Sequence, residues 1–200
     1  RSRLLALNSS QLINLGYSAD KLKYLFTVHE LKDAGFSARH LKHALLSAGE
    51  LKDATYTAYQ LRSGGYTTEE IKKAGFSLHE LKKADFNLSE LKIKKDEYNV
   101  SKLKEVGFSV HEIKGLGYSL PELEAGGYSV PELKKAGFSA DEFKKDGYSA
   151  YYLWYKRAEF STREFKEAGN SALELKNAYY SAGELKDAGY TAGELKDAGY

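Results

Sequence analysis

From Asn8 to Tyr200 the chain repeats one arrangement of apolar and polar positions every ten residues. The frame reads S-x-x-E-L-K-x-A-G-Y, with apolar side chains at positions two, five, eight and ten. Nineteen copies fit it. Sixteen have ten residues, Ser18 to Phe26 has nine, and Asn87 to Tyr98 and Ser149 to Phe160 have twelve. Residues 1–7 read as the end of a preceding copy. The apolar positions do not alternate with period two, which argues against strands. A glycine near every tenth residue leaves no sustained heptad for a coiled coil. The frame predicts one helix of about seven residues, roughly 10 Å long, per copy.

Each recurrent position has a place in such a helix. Position one is Ser, Thr or Asn in all 19 copies and suits the N-cap, where its side-chain oxygen accepts from an unpaired backbone N–H. Position four, Glu or Gln in 15 copies, completes a capping box, as in Ser181 with Glu184 and Thr191 with Glu194. Position five pairs with the aromatic residue ending the previous copy as a hydrophobic staple, as in Leu185 with Tyr180. Position nine, usually Gly, fits a left-handed C′ residue, and position ten then falls at C″ of a Schellman ending. Pro121 and Pro131 stand at position three, in the first turn, where a missing N–H costs little.

Helices this short do not form alone in water. The copies are therefore expected to stack as an all-α solenoid, a superhelical rod of about 19 short helices. Two copies per coil is the preferred reading, and three per coil stays open. The expected core is position five with positions two, eight and ten, represented by Leu31, Leu51, Leu81, Leu133 and Leu185. The array opens without Met and closes on a full copy, so it reads as an excerpt of a longer array or as a rod that associates end to end. The irregular copies 87–98 and 149–160 are expected to be longer helices or looser turns. The second gathers Tyr151, Tyr152, Trp154 and Tyr155, residue types favoured as interface anchors, and is the candidate partner contact.

Composition narrows the function. The 200 residues hold no Cys, which excludes a disulfide scaffold, thiolate zinc and a cysteine nucleophile. No apolar run approaches the roughly 18 residues of a membrane span, and no signal-peptide pattern opens the sequence. Lys and Arg number 30 against 28 Asp and Glu, a net charge of +2, which disfavours a dedicated nucleic-acid binder. Position six is Lys or Arg in 16 copies. This lysine ladder could read an extended polyanion, but lysine near a helix C-terminus is also explained by the helix dipole.

No catalytic constellation emerges. Ser77 with His79 and Ser109 with His111 lack an orienting carboxylate, and both serines are N-caps. His40 and His43 lack a third ligand. Gly115-Leu116-Gly117 follows the repeat beat and has no strand before it. Asn8, Asn87 and Asn99 match the glycosylation acceptor pattern because they are N-caps followed by the frame.

From Asn8 onward the chain resembles short tandem arrays of the form [ST]-x-x-E-L-K-x-A-G-[FY]. That resemblance implies a repeat scaffold with no catalytic residue, cofactor or metal. The expected partners are other proteins or further copies of the chain. The second expectation is a polyanion-binding module.

Overall fold

The computed structural model describes residue 7, residues 11–12 and residues 15–200. The tail read in residues 1–7 and the N-cap Asn8 therefore lie largely outside the described residues. The chain divides into two compact units, Arg1–Ile93 and Lys94–Tyr200. The division falls inside the irregular copy 87–98.

The described residues form 17 α-helices and one 3-10 turn, with no strand. None of these helices is long and apolar enough to cross a membrane. Most have six residues, one fewer than expected, because position eight closes the helix as C-cap. Val28–Asp33 shows the full pattern. Thr27 Oγ1 accepts from Glu30 N at 3.2 Å, and Glu30 Oε2 accepts from Thr27 N at 2.7 Å. At the other end Gly35 N donates to Lys32 O at 2.7 Å and Phe36 N to Leu31 O at 3.0 Å, the paired bonds of a Schellman ending. The staple is visible as Phe160 against Phe165, ring centroids 5.6 Å apart.

Position five is the centre of packing in the copies up to Leu185, while Leu195 in the last helix is only partly buried. Leu31, Leu51, Leu133 and Leu185 are at most 1% exposed, and Leu81 is 5% exposed. Alternate helices pack together within each unit. Ala38–His43 meets Ala58–Ser63, and Ala48–Asp53 meets Thr68–Lys73. In the second unit Val100–Val106 meets Leu120–Ala125, and Ala150–Tyr155 meets Ala172–Asn177. Adjacent helices pack as well, Ala58–Ser63 on Thr68–Lys73 and Ala172–Asn177 on Ala182–Asp187.

The helix count falls below 19 for two reasons. The copy beginning at Asn8 is only partly described, and the copy 87–98 forms no α-helix. Its first turn closes early, with Lys92 left-handed at φ 52° and Ile93 N donating to Leu88 O at 3.1 Å. A 3-10 turn, Lys95–Glu97, takes up the remaining residues. The copy 149–160 keeps a six-residue helix, Ala150–Tyr155, and ends it with Ala158 N on Leu153 O at 3.0 Å. Its two extra residues lengthen the turn, with Arg157 and Glu159 both left-handed at φ 55°. Neither insertion lengthens a helix.

Glycine at position nine is favoured rather than obligatory. Leu45 occupies that position at φ 62° with its side chain 87% exposed. A left-handed leucine carries a steric penalty that glycine lacks. Leu45→Gly is expected to raise stability by about 1 kcal/mol, read as a higher urea midpoint with an unchanged slope. A lower midpoint would mean that the exposed leucine makes a contact worth more than the strain.

Candidate functional site

The position-six lysines are the most repetitive surface feature, and their geometry decides what they are for. Most reach across to the copy two along, whereas Lys92 turns back to Glu69 at 3.2 Å. Lys114 Nζ donates to Gly137 O at 2.7 Å, lies 4.1 Å from the Phe138 ring centroid, and sits 3.3 Å from Glu142 Oε1 in the copy after that. Glu142 is itself the capping-box residue of Ser139. One cation therefore caps the end of one helix, covers a ring, and holds the start of the next helix. Arg62 repeats the arrangement, with Ala84 O at 3.0 Å, the Phe86 ring at 4.4 Å and Glu90 at 2.9 Å. Lys32, Lys42, Lys104 and Lys134 do the same for the carbonyls of Thr55, Gly65, Gly127 and Glu159. The sequence suggested that each lysine serves the dipole of its own helix. It serves instead the exposed carbonyl end of another helix.

Tyrosine at position ten completes the cross-link in the opposite direction. Tyr66 Oη donates to Leu46 O at 2.7 Å, and Tyr190 Oη to Asn170 O at 2.5 Å. Tyr56 and Tyr128 donate likewise to Phe36 O and Phe108 O. Burial pushes the hydroxyls of Tyr56, Tyr66, Tyr128 and Tyr190 up to about 12. Asn170, one of two position-ten residues that are not aromatic, is buried and donates through Nδ2 to Phe165 O at 2.9 Å.

Two rungs of the second unit depart from this scheme. Glu124 replaces the lysine in one. It accepts from Tyr148 Oη at 2.9 Å and Tyr152 Oη at 2.5 Å. Tyr152 stands where the capping glutamate would be, so acid and partner have exchanged roles. The Glu124 carboxylate, followed by burial, raises the Tyr152 hydroxyl to about 12. Trp154 replaces the lysine in the other. Its ring lies 5.0 Å from that of Tyr179, the position-nine residue two copies on, and 6.2 Å from Tyr151. Tyr151 and Tyr179 are 5.9 Å apart.

The four residues singled out from sequence thus separate. Tyr151 and Trp154 join an exposed aromatic patch, Tyr152 turns to Glu124, and Tyr155 is exposed with no ring partner among the described residues. Tyr179, which completes the patch, lies 25 positions beyond Trp154. The signal for it was present: a bulky residue where the frame places glycine, held left-handed at φ 66° and 69% exposed. Strain of this kind persists where surrounding contacts impose it and is concentrated at functional positions.

The remaining sequence candidates are accounted for locally. His40 Nδ1 faces Ser37 N at 3.2 Å as the capping-box partner. Asn87 and Asn99 cap Glu90 N and Lys102 N, both at 2.8 Å. Asn8 lies outside the described residues. No group of three or more metal-ligating side chains converges among the described residues. An open cleft lined by Lys52, Tyr56, Tyr59, Phe76 and Glu80 is a gap between neighbouring copies. Lys52 there already bonds Gly75 O.

The sequence matches the family described as Decapeptide repeat region over residues 7–69, 97–155 and 154–200. No curated protein and no solved structure gives a match to the chain. The capped helices of the ten-residue frame and these three matched segments lead to one conclusion: the chain belongs to the decapeptide-repeat family.

Proposed function

We propose that the chain is an interaction scaffold without catalytic activity, in which each unit winds as a solenoid of two copies per coil. Packing between alternate helices and hydrogen bonds spanning about two copies support that winding. One observation carries the functional reading. The recurrent polar side chains are mostly committed to caps and to neighbouring copies, while Trp154 and Tyr179, which depart from the frame, gather with Tyr151 in an exposed patch. Tyrosine and tryptophan supply large contact area at low entropic cost and anchor protein interfaces. The rung geometry also weighs against the polyanion reading, since the lysine ammonium groups already hold carbonyls and carboxylates.

A photocrosslinking amino acid at Tyr155, beside the patch, is expected to give a discrete protein adduct in the native host. The same group at Tyr59, exposed in the other unit, is expected to give none of that adduct. Identical adduct patterns from both sites would remove the patch as the contact. Salt-sensitive binding of heparin or single-stranded nucleic acid would favour the polyanion module instead.

A further inference from the structure

We infer that the Trp154 rung receives a basic side chain, arginine or lysine, from a partner protein. This rests on the patch being a partner contact and adds the chemistry of the partner. In the rungs around it the cation stands over the ring at position ten: Lys104 over Tyr128 at 4.4 Å, Lys134 over Phe160 at 4.4 Å, and Lys166 over Tyr190 at 4.7 Å. The same cations meet the position-nine carbonyl and approach the capping glutamate of the following copy. Lys104 lies 3.8 Å from Glu132, and Lys134 lies 3.5 Å from Glu164.

At the Trp154 rung the frame supplies the same receiving groups: the Tyr180 ring, the Tyr179 carbonyl and the Glu184 carboxylate. Only the donor has changed. Trp154 turns to the Tyr179 ring and supplies no charge. Glu184 is held by Ser181, with its N–H donating at 2.7 Å and its hydroxyl at 2.6 Å. No lysine or arginine pairs with it among the described residues. By the register of Lys104 with Glu132 and Lys134 with Glu164, Glu184 belongs to the same rung as Trp154, and a carboxylate hydrogen-bonded on one side in a rung that carries exposed aromatic rings is complementary to a cation with an apolar stem. Arginine suits it better than lysine, because a planar guanidinium stacks on an indole while bonding a carboxylate. The partner would thus repeat between molecules the contact that the array makes within itself.

Trp154 is the sole tryptophan, so its emission reports on the site directly. The 200-residue chain is titrated with acetyl-Gly-Arg-Gly-amide and with the same peptide carrying citrulline, its neutral isostere. The arginine peptide is expected to change Trp154 emission saturably, with citrulline about tenfold weaker, equivalent to roughly 1.4 kcal/mol. Glu184→Gln is expected to weaken the arginine peptide by a similar factor. It leaves the helix capped, as Gln60 does for Thr57. Trp154→Lys refills the rung from within and is expected to abolish binding by calorimetry. Equal responses to both peptides, unaffected by Glu184→Gln, would overturn the cation site while leaving an aromatic contact. Silence toward both peptides would overturn it too, and the Tyr155 crosslink would then tell whether the scaffold reading stands.

Discussion

Leu133→Ala is expected to destabilise the Lys94–Tyr200 unit by about 2–5 kcal/mol. Leu133 is 0% exposed and stands at position five of the helix Val130–Lys135. Truncation removes apolar burial and leaves a cavity that the surroundings fill only in part. The neighbours have little freedom to close it. The backbone on both sides of Leu133 is pinned, with its N–H on Ser129 O at 3.0 Å and its C=O accepting from Phe138 N at 3.2 Å. A six-residue helix also has almost no stability of its own, so lost packing is not offset by intrinsic helicity. Ser129→Ala, which removes the N-cap of the same helix, is expected to cost about 1 kcal/mol. Urea unfolding followed by far-ultraviolet circular dichroism compares the two. A loss at Leu133 no larger than that at Ser129 would show that capping, and not the buried leucine, holds the copy together.

The parts of this fold that were legible in the sequence are those whose partners lie within one copy. A capping box joins residues three apart and a Schellman ending residues five apart, so Thr27 with Glu30 and Leu31 with Phe36 could be paired by counting. The rungs could not. In a near-perfect repeat, Lys114 faces the same residue types in the next copy, the second and the third, and nothing in the period says which it meets. Only departures from the frame break that degeneracy: Glu124 opposite Tyr152, and Trp154 opposite Tyr179. Gly126 was hidden for a different reason. Its φ of −74° is ordinary, but a Cβ there would lie 2.2 Å from Val100 Cγ1. It is glycine for close packing, yet in sequence it cannot be told from the neighbouring Gly127, which is left-handed at φ 97°. The insertions were legible, but whether they lengthen a helix or loosen a turn was left open. A twelve-residue copy can grow in its helix or in its turn, and two left-handed residues at Arg157 and Glu159 settle it for the turn.

The array is expected to unfold in acid as a consequence of its own capping. Backbone and hydroxyl bonds from the cap residue hold the Glu70, Glu132 and Glu194 carboxyls below the ordinary value of 4.5. At Glu122 the Lys95 ammonium, with the Ser119 N–H and hydroxyl, lowers it to about 2. Burial pushes Glu142, Glu164 and Glu174 up, but bonds from their caps together with Lys114, Lys134 and Lys144 outweigh it. A carboxyl with a depressed folded value stabilises the native state wherever it is ionised in both states, so the contribution is complete above about 4.5. It is lost as pH falls from 4.5 toward the folded values, reaching about 2 at Glu122. Each exposed glutamate contributes little alone, but the effect recurs in ten copies, from Glu50 to Glu194, with the same sign in each. The tyrosines act in the opposite sense. Their raised values stabilise the fold below pH 10, and that contribution disappears as pH rises through about 12. Helicity measured against pH should therefore hold a plateau at neutrality and fall on both sides, with the acid limb between about 4.5 and 2. Changing Glu122, Glu132, Glu142, Glu164 and Glu174 together to Gln is expected to flatten the acid limb of the Lys94–Tyr200 unit. The amide of Gln60 already accepts from Thr57 N at 2.9 Å, so neutral caps of this geometry form. An acid limb as steep in that variant as in the parent would place the acid sensitivity outside these five capping boxes.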